Sequence, residues 1–338
     1  MNETATIGEV TPEVQTEAKR LYSRLFEAEW GYEACELIAP LTLEINRLKR
    51  EMNAVVLAHS YQTPDIIFGI ADFTGDSLGL SKEAARTTAD TIVFCGVRFM
   101  AETAKILSPE KRVLLPAPNA GCSLAEAITA EDVRGLRAQY PGVPVVCYVN
   151  TSAEVKAESD ACCTSGNAVE VVNAQPGDRV IFIPDKLMAA NLRTMTDKEI
   201  IAWHGTCIVH EEFNPKSVEV WKKLYPDMLV LAHTECDSSV VEIADMAGST
   251  EGMIKFIKES NASKFMLITE CGLSDRLRVE FEGKKKFFGS CVLCPYMKQT
   301  ELPVILECMK CPREDQIVEL DADIVHRARR AIDQMMAH

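Results

Sequence analysis

Residues 55–62 read VVLAHSYQ, residues 145–152 read VVCYVNTS and residues 229–236 read LVLAHTEC. Each begins as a continuous apolar run and turns polar over its last few positions. That pattern fits a strand buried on both faces, as in a parallel sheet, opening at its carboxyl end into a polar loop. Aligned, the three runs place His59 with Tyr148 and His233, and Tyr61 with Asn150 and Glu235, at separations of 89 and 85 residues. Nearly the same period returns downstream. GDSLGLSKEA, TSGNAVEVV and GSTEGMIKFI put Ser77, Ser165 and Thr250 before helix-like stretches at separations of 88 and 85, and TIVFCGVRFMAE, RVIFIPDKLMAA and KFMLITECGLSD do the same for Met100, Met188 and Leu273. A fixed period of this length marks one supersecondary unit used repeatedly.

The period also selects one cysteine per repeat: Cys122 in NAGCSLAE, Cys207 in WHGTCIVHEEF and Cys294 in CVLCPYM, 85 and 87 residues apart. The expected fold is therefore α/β, with three pseudo-threefold-related, doubly wound units: residues 1–116 with 297–338, residues 117–205, and residues 206–296. Each unit reads as strand, polar loop, helix, strand, helix, third strand and cysteine loop. In such units ligands bind beyond the carboxyl ends of the strands, so equivalent strand ends and cysteine loops should meet near one axis. Residues 11–50 and the closing DADIVHRARRAIDQMM carry helical periodicity and are expected to cover the first unit.

The chain of 338 residues is 47% hydrophobic and 25% charged, the composition of a globular protein with more than one core. Its net charge of −14 argues against nucleic acid and anionic membrane as partners, since both need a basic face. The first twenty residues are acidic and polar where a signal peptide is basic and then apolar, and no apolar run approaches a membrane span. The expectation is a cytoplasmic protein. Thirteen cysteines, an odd number in a reducing compartment, read as metal ligands or buried thiols rather than a disulfide framework.

Two metal readings compete. Cys291, Cys294, Cys308 and Cys311 are spaced C-x₂-C-x₁₃-C-x₂-C, close to a structural zinc ribbon and hence to an interaction module. The repeat instead groups Cys122, Cys207 and Cys294, three thiolates that fit a 4Fe-4S cluster with one iron left open as a Lewis acid, or zinc completed by a substrate, which spacing alone does not separate from it. The intervening YMKQTELPVILE reads as helix rather than a ribbon's hairpin, which favours the second grouping. Ser77, Ser165 and Thr250 at helix starts are usual capping residues. Three at equivalent positions also suit an anion such as phosphate or carboxylate. Neither G-x-x-x-x-G-K-[ST] nor G-x-G-x-x-G occurs, so nucleotide binding is unsupported. Glu235 is the only carboxylate at the three aligned strand ends and is the expected main acid/base.

The segments LAHSYQ, GDSL, GVRFMAETAKIL, AGCSLA, CYVNTSAEVKAESD, CCTSGNAV, PDKLMAANL, WHGTCIVHEEF, AHTEC, GSTEGM and CVLCPYM resemble the quinolinate synthase family. The resemblance runs from the first strand to CPYM; only the wording after TE-x-G departs from it. It implies three α/β domains around one 4Fe-4S cluster held by Cys122, Cys207 and Cys294. It implies condensation of iminoaspartate with dihydroxyacetone phosphate to quinolinate, phosphate and water, in NAD biosynthesis, with transient contact to the enzyme that supplies iminoaspartate. Substrate contacts expected from it are His59, Ser77, Tyr148, Val149, Asn150, Ser165, His233, Thr234, Glu235 and Thr250, with Glu235, His233, Tyr61 and Tyr148 in acid/base roles. Another 4Fe-4S dehydratase on the same scaffold is the alternative enzyme reading.

Overall fold

The structure, a computed structural model, describes residues 11–289 and 292–338. Among these residues twelve strands form three four-stranded parallel sheets. The first sheet holds β1 (Ala54–His59), β2 (Phe73–Gly75), β3 (Thr91–Cys95) and β4 (Arg112–Leu114). The second holds β5 (Val145–Tyr148), β6 (Ala161–Cys163), β7 (Arg179–Ile183) and β8 (Glu199–Ala202). The third holds β9 (Leu229–His233), β10 (Met246–Gly248), β11 (Lys264–Ile268) and β12 (Lys286–Gly289). The orders are β2-β1-β3-β4, β6-β5-β7-β8 and β10-β9-β11-β12, one topology used three times.

Each unit thus has four strands where the sequence pattern predicts three. The extra strands β2, β6 and β10 are three residues long and hide inside the polar loops. Their register repeats as well: His59 pairs with Gly75, Tyr148 with Cys163 and His233 with Gly248. An aspartate before each short strand holds it. Asp72, Asp160 and Asp245 each accept a hydrogen bond through Oδ2 from the first strand's backbone (Val56, Val145 and Val230 N–H, at 2.8, 2.8 and 2.7 Å). Each also pairs with a cation on the preceding helix: Lys49 at 2.8 Å, Arg137 at 2.8 Å and Lys222 at 3.0 Å. A carboxylate that satisfies an edge N–H and a neighbouring cation fixes the start of a strand too short to fix itself.

The helices Pro12–Leu25 and Tyr32–Glu51 pack on one another; Tyr32–Glu51 also lies on β1 of the first sheet, and Pro12–Leu25 on the helix Pro64–Gly69 that follows β1. The closing helix Ala322–Ala337 does not join them. It lies mainly against the helix Ala153–Ala157 and β6 of the second unit, also touching the helix Arg98–Leu107 of the first. Asn167 Nδ2 donates to Met335 O at 2.8 Å, and Arg327 bonds Ala157 O and Glu158. Its apolar stripe of Ala328, Ala331, Ile332 and Met335 is fully buried there, which covers an edge strand otherwise open to pairing. Just before it, Gln316 and Val318 exchange backbone bonds with Leu115 and Val113, closing the first sheet's far edge.

Cys308 sits within the helix Leu302–Lys310, fully buried among Ile305, Met309 and Val93, and Cys311 is exposed beyond the helix end. A helical, core-packed Cys308 is not the hairpin ligand a zinc ribbon needs. Cys291 lies outside the described residues. No described helix is long and apolar enough to cross a membrane.

Candidate active site

The three sheets direct their carboxyl ends at one cavity with about 640 Å³ of empty space, counted to its mouth. His59, Tyr61, Ser77, Tyr148, Asn150, Ser165, His233, Glu235 and Thr250 line it, together with Cys122, Cys207 and Cys294. Val149 and Thr234 do not. Positions 59 and 61, with their equivalents, face inward while those between face away, because the chain turns just past each strand end, with Gln62 N–H bonded to His59 O and Cys236 N–H to His233 O. Val149 packs in the core and Thr234 uses its carbonyl to accept from Asn191 Nδ2 at 2.9 Å.

The cysteines hang from the scaffold by one bond used three times. Arg98 N–H donates to Ala120 O at 2.9 Å, Lys186 N–H to Gly205 O at 2.9 Å and Cys271 N–H to Val292 O at 3.0 Å. In each case the third residue after a strand end holds the carbonyl two positions before the cysteine. Each cysteine then opens a helical turn, with the N–H groups two and three residues on facing its sulfur: Leu124 and Ala125, Val209 and His210, Tyr296 and Met297. The first two loops are also joined directly, since Ser123 Oγ donates to Thr206 O at 3.0 Å and accepts from Ile208 N–H at 3.2 Å. Burial pushes the Cys122 thiol up to about 12 and raises Cys207 and Cys294 too. Thiols so placed ionise when a cation binds, and the paired N–H groups then stabilise the thiolates. Three such sulfurs on one cavity fit an iron-sulfur cluster with three protein ligands.

Gly205 shows how little tolerance the suspension has. A Cβ there would stand 2.7 Å from Pro184 O and 2.9 Å from Ala127 Cβ. Gly205→Ala is expected to cost about 1–3 kcal/mol, read as a lower denaturant midpoint, and to reduce iron bound per chain.

Glu235 is the centre of the polar network. Tyr148 OH donates to its Oε1 at 2.5 Å, and His210 Nδ1 meets its Oε2 at 2.9 Å. His210 Nε2 lies 3.0 Å from Thr269 Oγ1, which is 2.6 Å from Tyr61 OH, itself 3.2 Å from Thr250 Oγ1. Burial opposes ionisation of Glu235, but the His210 and His233 rings and the His210 and Tyr148 hydrogen bonds outweigh it and hold the carboxyl well below its usual range. Ionised, Glu235 only accepts, so His210 Nδ1–H donates to it. In the neutral imidazole Nε2 then accepts from Thr269, Thr269 from Tyr61, and Tyr61 from Thr250. Burial raises the Tyr61 and Tyr148 phenols well above their usual value, which keeps them protonated as donors.

His210, the hinge of this network, is absent from the residues expected on sequence grounds. It follows Cys207 by three positions in WHGTCIVHEEF, so one turn puts it beside the sulfur: its Nδ1 is 3.2 Å from Cys207 Sγ. Cys207, His210 and Glu235 present ligand atoms within 4.8 Å of one another, a set that also suits one metal ion. Their 2.9 and 3.2 Å separations are those of mutual hydrogen bonds, closer than ligands about 2.0–2.3 Å from a tetrahedral ion stand. The relay is the better description.

The two strand-end histidines are held alike. His59 Nδ1 accepts from Tyr61 N–H at 3.2 Å and His233 Nδ1 from Glu235 N–H at 3.3 Å. Nε2 therefore carries the proton in both neutral rings. Burial, with Arg276 and Lys298 nearby, lowers His59 to about 3, and burial lowers His233 to about 4. An unfolded histidine takes up a proton near 6.5, so between that value and 4 the unfolded chain binds more protons. The stability these neutral rings contribute is complete above about 6.5 and is lost as pH falls. The urea midpoint of cluster-free protein is expected to drop between pH 7 and 4, and His59→Gln to flatten that slope.

Ser77 and Thr250 are the first residues of the helices Ser77–Arg86 and Thr250–Glu259, and the caps are their neighbours. Asp76 accepts from Gly79 N–H at 2.9 Å and Ser249 from Gly252 N–H at 3.1 Å. The Ser77 and Thr250 hydroxyls are thus not used as caps. Ser165 departs further from expectation: it stands in a turn before the helix Ala168–Ala174, whose cap is Asn167. No lysine or arginine lines the cavity among the described residues, and Asp76 and Glu235 do, so the groups that can attract an anion there are neutral donors and helix N-termini.

Three α/β units that share one thiol-lined, acid/base-equipped cavity define an enzyme whose centre is built jointly by its repeats. Residues 43–337 match the family model described as quinolinate synthetase A protein. Proteins named quinolinate synthase resemble the chain over most of its length. That of Sinorhizobium fredii is 45% identical over 326 residues, 96% of this chain and 90% of the relative. That of Xylella fastidiosa is 50% identical over 293 residues, covering 87% and 86%. That of Caulobacter vibrioides is 45% identical over 337 residues, covering 97% and 90%. The chain belongs to the quinolinate synthetase A protein family.

Proposed function

We propose that the chain is a quinolinate synthase that condenses iminoaspartate with dihydroxyacetone phosphate at this cavity, releasing phosphate and water, with a 4Fe-4S cluster on Cys122, Cys207 and Cys294. The observation that carries the reading is the meeting of those three cysteines with the Glu235 relay at one set of strand ends. When bound, the cluster supplies a Lewis-acid iron for dehydration. Ser77, Ser165, Thr250 and Asn150 bind the phosphate and carboxylates through neutral hydrogen bonds. His59 and His233 offer Nε2–H to carbonyl or carboxylate oxygens. A proton taken up at Thr250 passes through Tyr61, Thr269 and His210 to Glu235, because every hydrogen bond of the relay already points that way. Tyr148, bonded to the other carboxylate oxygen, holds Glu235 in place and donates when it is protonated.

The proposed domains are residues 1–116 with 297–338, residues 117–205 and residues 206–296, the closing helix bracing the first two. A transient contact with the enzyme that makes iminoaspartate suits the short life of an imine in water, and a cytoplasmic location suits such an exchange. The test is anaerobic: reconstituted protein is given dihydroxyacetone phosphate with oxaloacetate and ammonia, and quinolinate is measured alongside iron, sulfide and zinc. Quinolinate formation with about four iron per chain supports the reading. Zinc-loaded, iron-free protein with equal activity overturns it.

A further inference from the structure

We infer that Glu270 and Lys298 form a positioning pair that locks the turn carrying Cys294 to the loop carrying Tyr61. The inference rests on the reading of Cys294 as a cluster ligand.

Glu270 follows the end of β11 and is completely buried. Both its oxygens are engaged. Oε2 accepts from Gly272 N–H at 2.7 Å, while Oε1 accepts from Cys294 N–H at 3.2 Å and meets Lys298 Nζ at 2.9 Å. The same Nζ donates to Tyr61 O at 2.5 Å. From the opposite side Gln62 Nε2 donates to Met297 O at 3.0 Å. Two loops far apart in sequence thus exchange side-chain-to-backbone bonds in both directions, and Glu270 ties the pair of them to the third unit.

The repeat isolates what is special here. Val97 and Asp185 occupy the positions equivalent to Glu270, 88 and 85 residues apart. Val97 has no polar side chain. Asp185 is one methylene shorter, spends Oδ1 on the N–H groups of Leu187 and Met188, and leaves Oδ2 without a partner. The first two cysteine loops are joined directly through Ser123; the third is tied inward by this ion pair. A buried pair persists when its remaining hydrogen-bonding capacity is filled, and here it is filled by the two functional loops. The crossing leaves no space for a side chain: a Cβ on Gly272 would lie 2.6 Å from Tyr61 O, 2.8 Å from Glu270 Oε2 and 2.9 Å from Lys298 Nζ.

Outer supports of metal ligands typically change metal retention by about 10–100-fold when removed. Glu270→Gln, the charge-neutral double variant Glu270→Gln with Lys298→Met, and Gly272→Ala are prepared anaerobically and reconstituted. Two quantities are then followed: release of iron to a chelator, by bleaching of the visible absorption, and amide exchange. Each variant is expected to lose iron about 10-fold faster or more, with exchange rising in residues 60–62 and 292–298 and unchanged in the three sheets. The double variant guards against misfolding caused by an unpaired, half-buried lysine. If it folds yet keeps iron and loop protection as the parent does, the pairing has no positioning role. Retention of iron by Cys294→Ser would instead overturn the ligand reading, a separate outcome.

Discussion

Cys122→Ser, Cys207→Ser and Cys294→Ser are each expected to abolish quinolinate formation and to leave protein that cannot be reconstituted to its full iron and sulfide content. The three sulfurs line one cavity, and each is faced by two backbone N–H groups at the mouth of a helical turn. A serine hydroxyl keeps the size but is a hard, weakly acidic ligand unsuited to an all-sulfur site. Cys308→Ser and Cys311→Ser serve as controls. Cys308 is buried in the core behind β3 and Cys311 is exposed at a helix end, so neither change should alter iron content. Iron analysis with the electron paramagnetic resonance of the reduced cluster reads both groups. A zinc content that depends on Cys308 and Cys311 would point back to the ribbon.

Glu235→Gln is the second large effect. The change preserves shape, yet it removes the acceptor-only group that orients the whole relay. The amide can still receive one hydrogen bond, but its NH₂ side faces either the Tyr148 hydroxyl or the His210 Nδ1–H, and one of those donors loses its acceptor. Turnover should fall by about 10²-fold or more, the scale of a positioned acid/base, while the cluster stays in place. Single-turnover quinolinate formation under anaerobic conditions measures it. Activity close to the parent's would transfer the role to His210 or Tyr148.

Much of this architecture is legible before any coordinates. A period near 87 residues exposes the three units, and the aligned strand ends identify the cavity-lining positions, because a parallel strand flanked by helices leaves only its carboxyl end for chemistry. What escaped has physical reasons. The strands β2, β6 and β10 are too short for a periodicity to register, although Asp72, Asp160 and Asp245, repeating at 88 and 85 residues, mark their starts. His210 has no repeat partner to single it out; its cue is local, three residues after Cys207. Ser77 and Thr250 resemble caps because caps and first-turn residues share a composition, and only the geometry shows Asp76 and Ser249 doing the capping. The partner of the closing helix depends on tertiary packing that an amphipathic stripe does not specify.

The threefold suspension of the cysteines has a consequence in the language of symmetry. Three separate copies of one unit around an axis would present three identical side chains at every level of the cavity. They could offer three thiolates, which a cluster can use, but also three equal strand-end groups, which the proposed condensation of two unlike substrates cannot. Joining the copies in one chain removes that constraint. The anchoring bonds from Arg98, Lys186 and Cys271 stay equivalent, while the ring above them reads His59, Tyr148 and His233 and the next reads Tyr61, Asn150 and Glu235. The frame keeps its triad where the proposed cluster needs it and differentiates where the proposed substrates do.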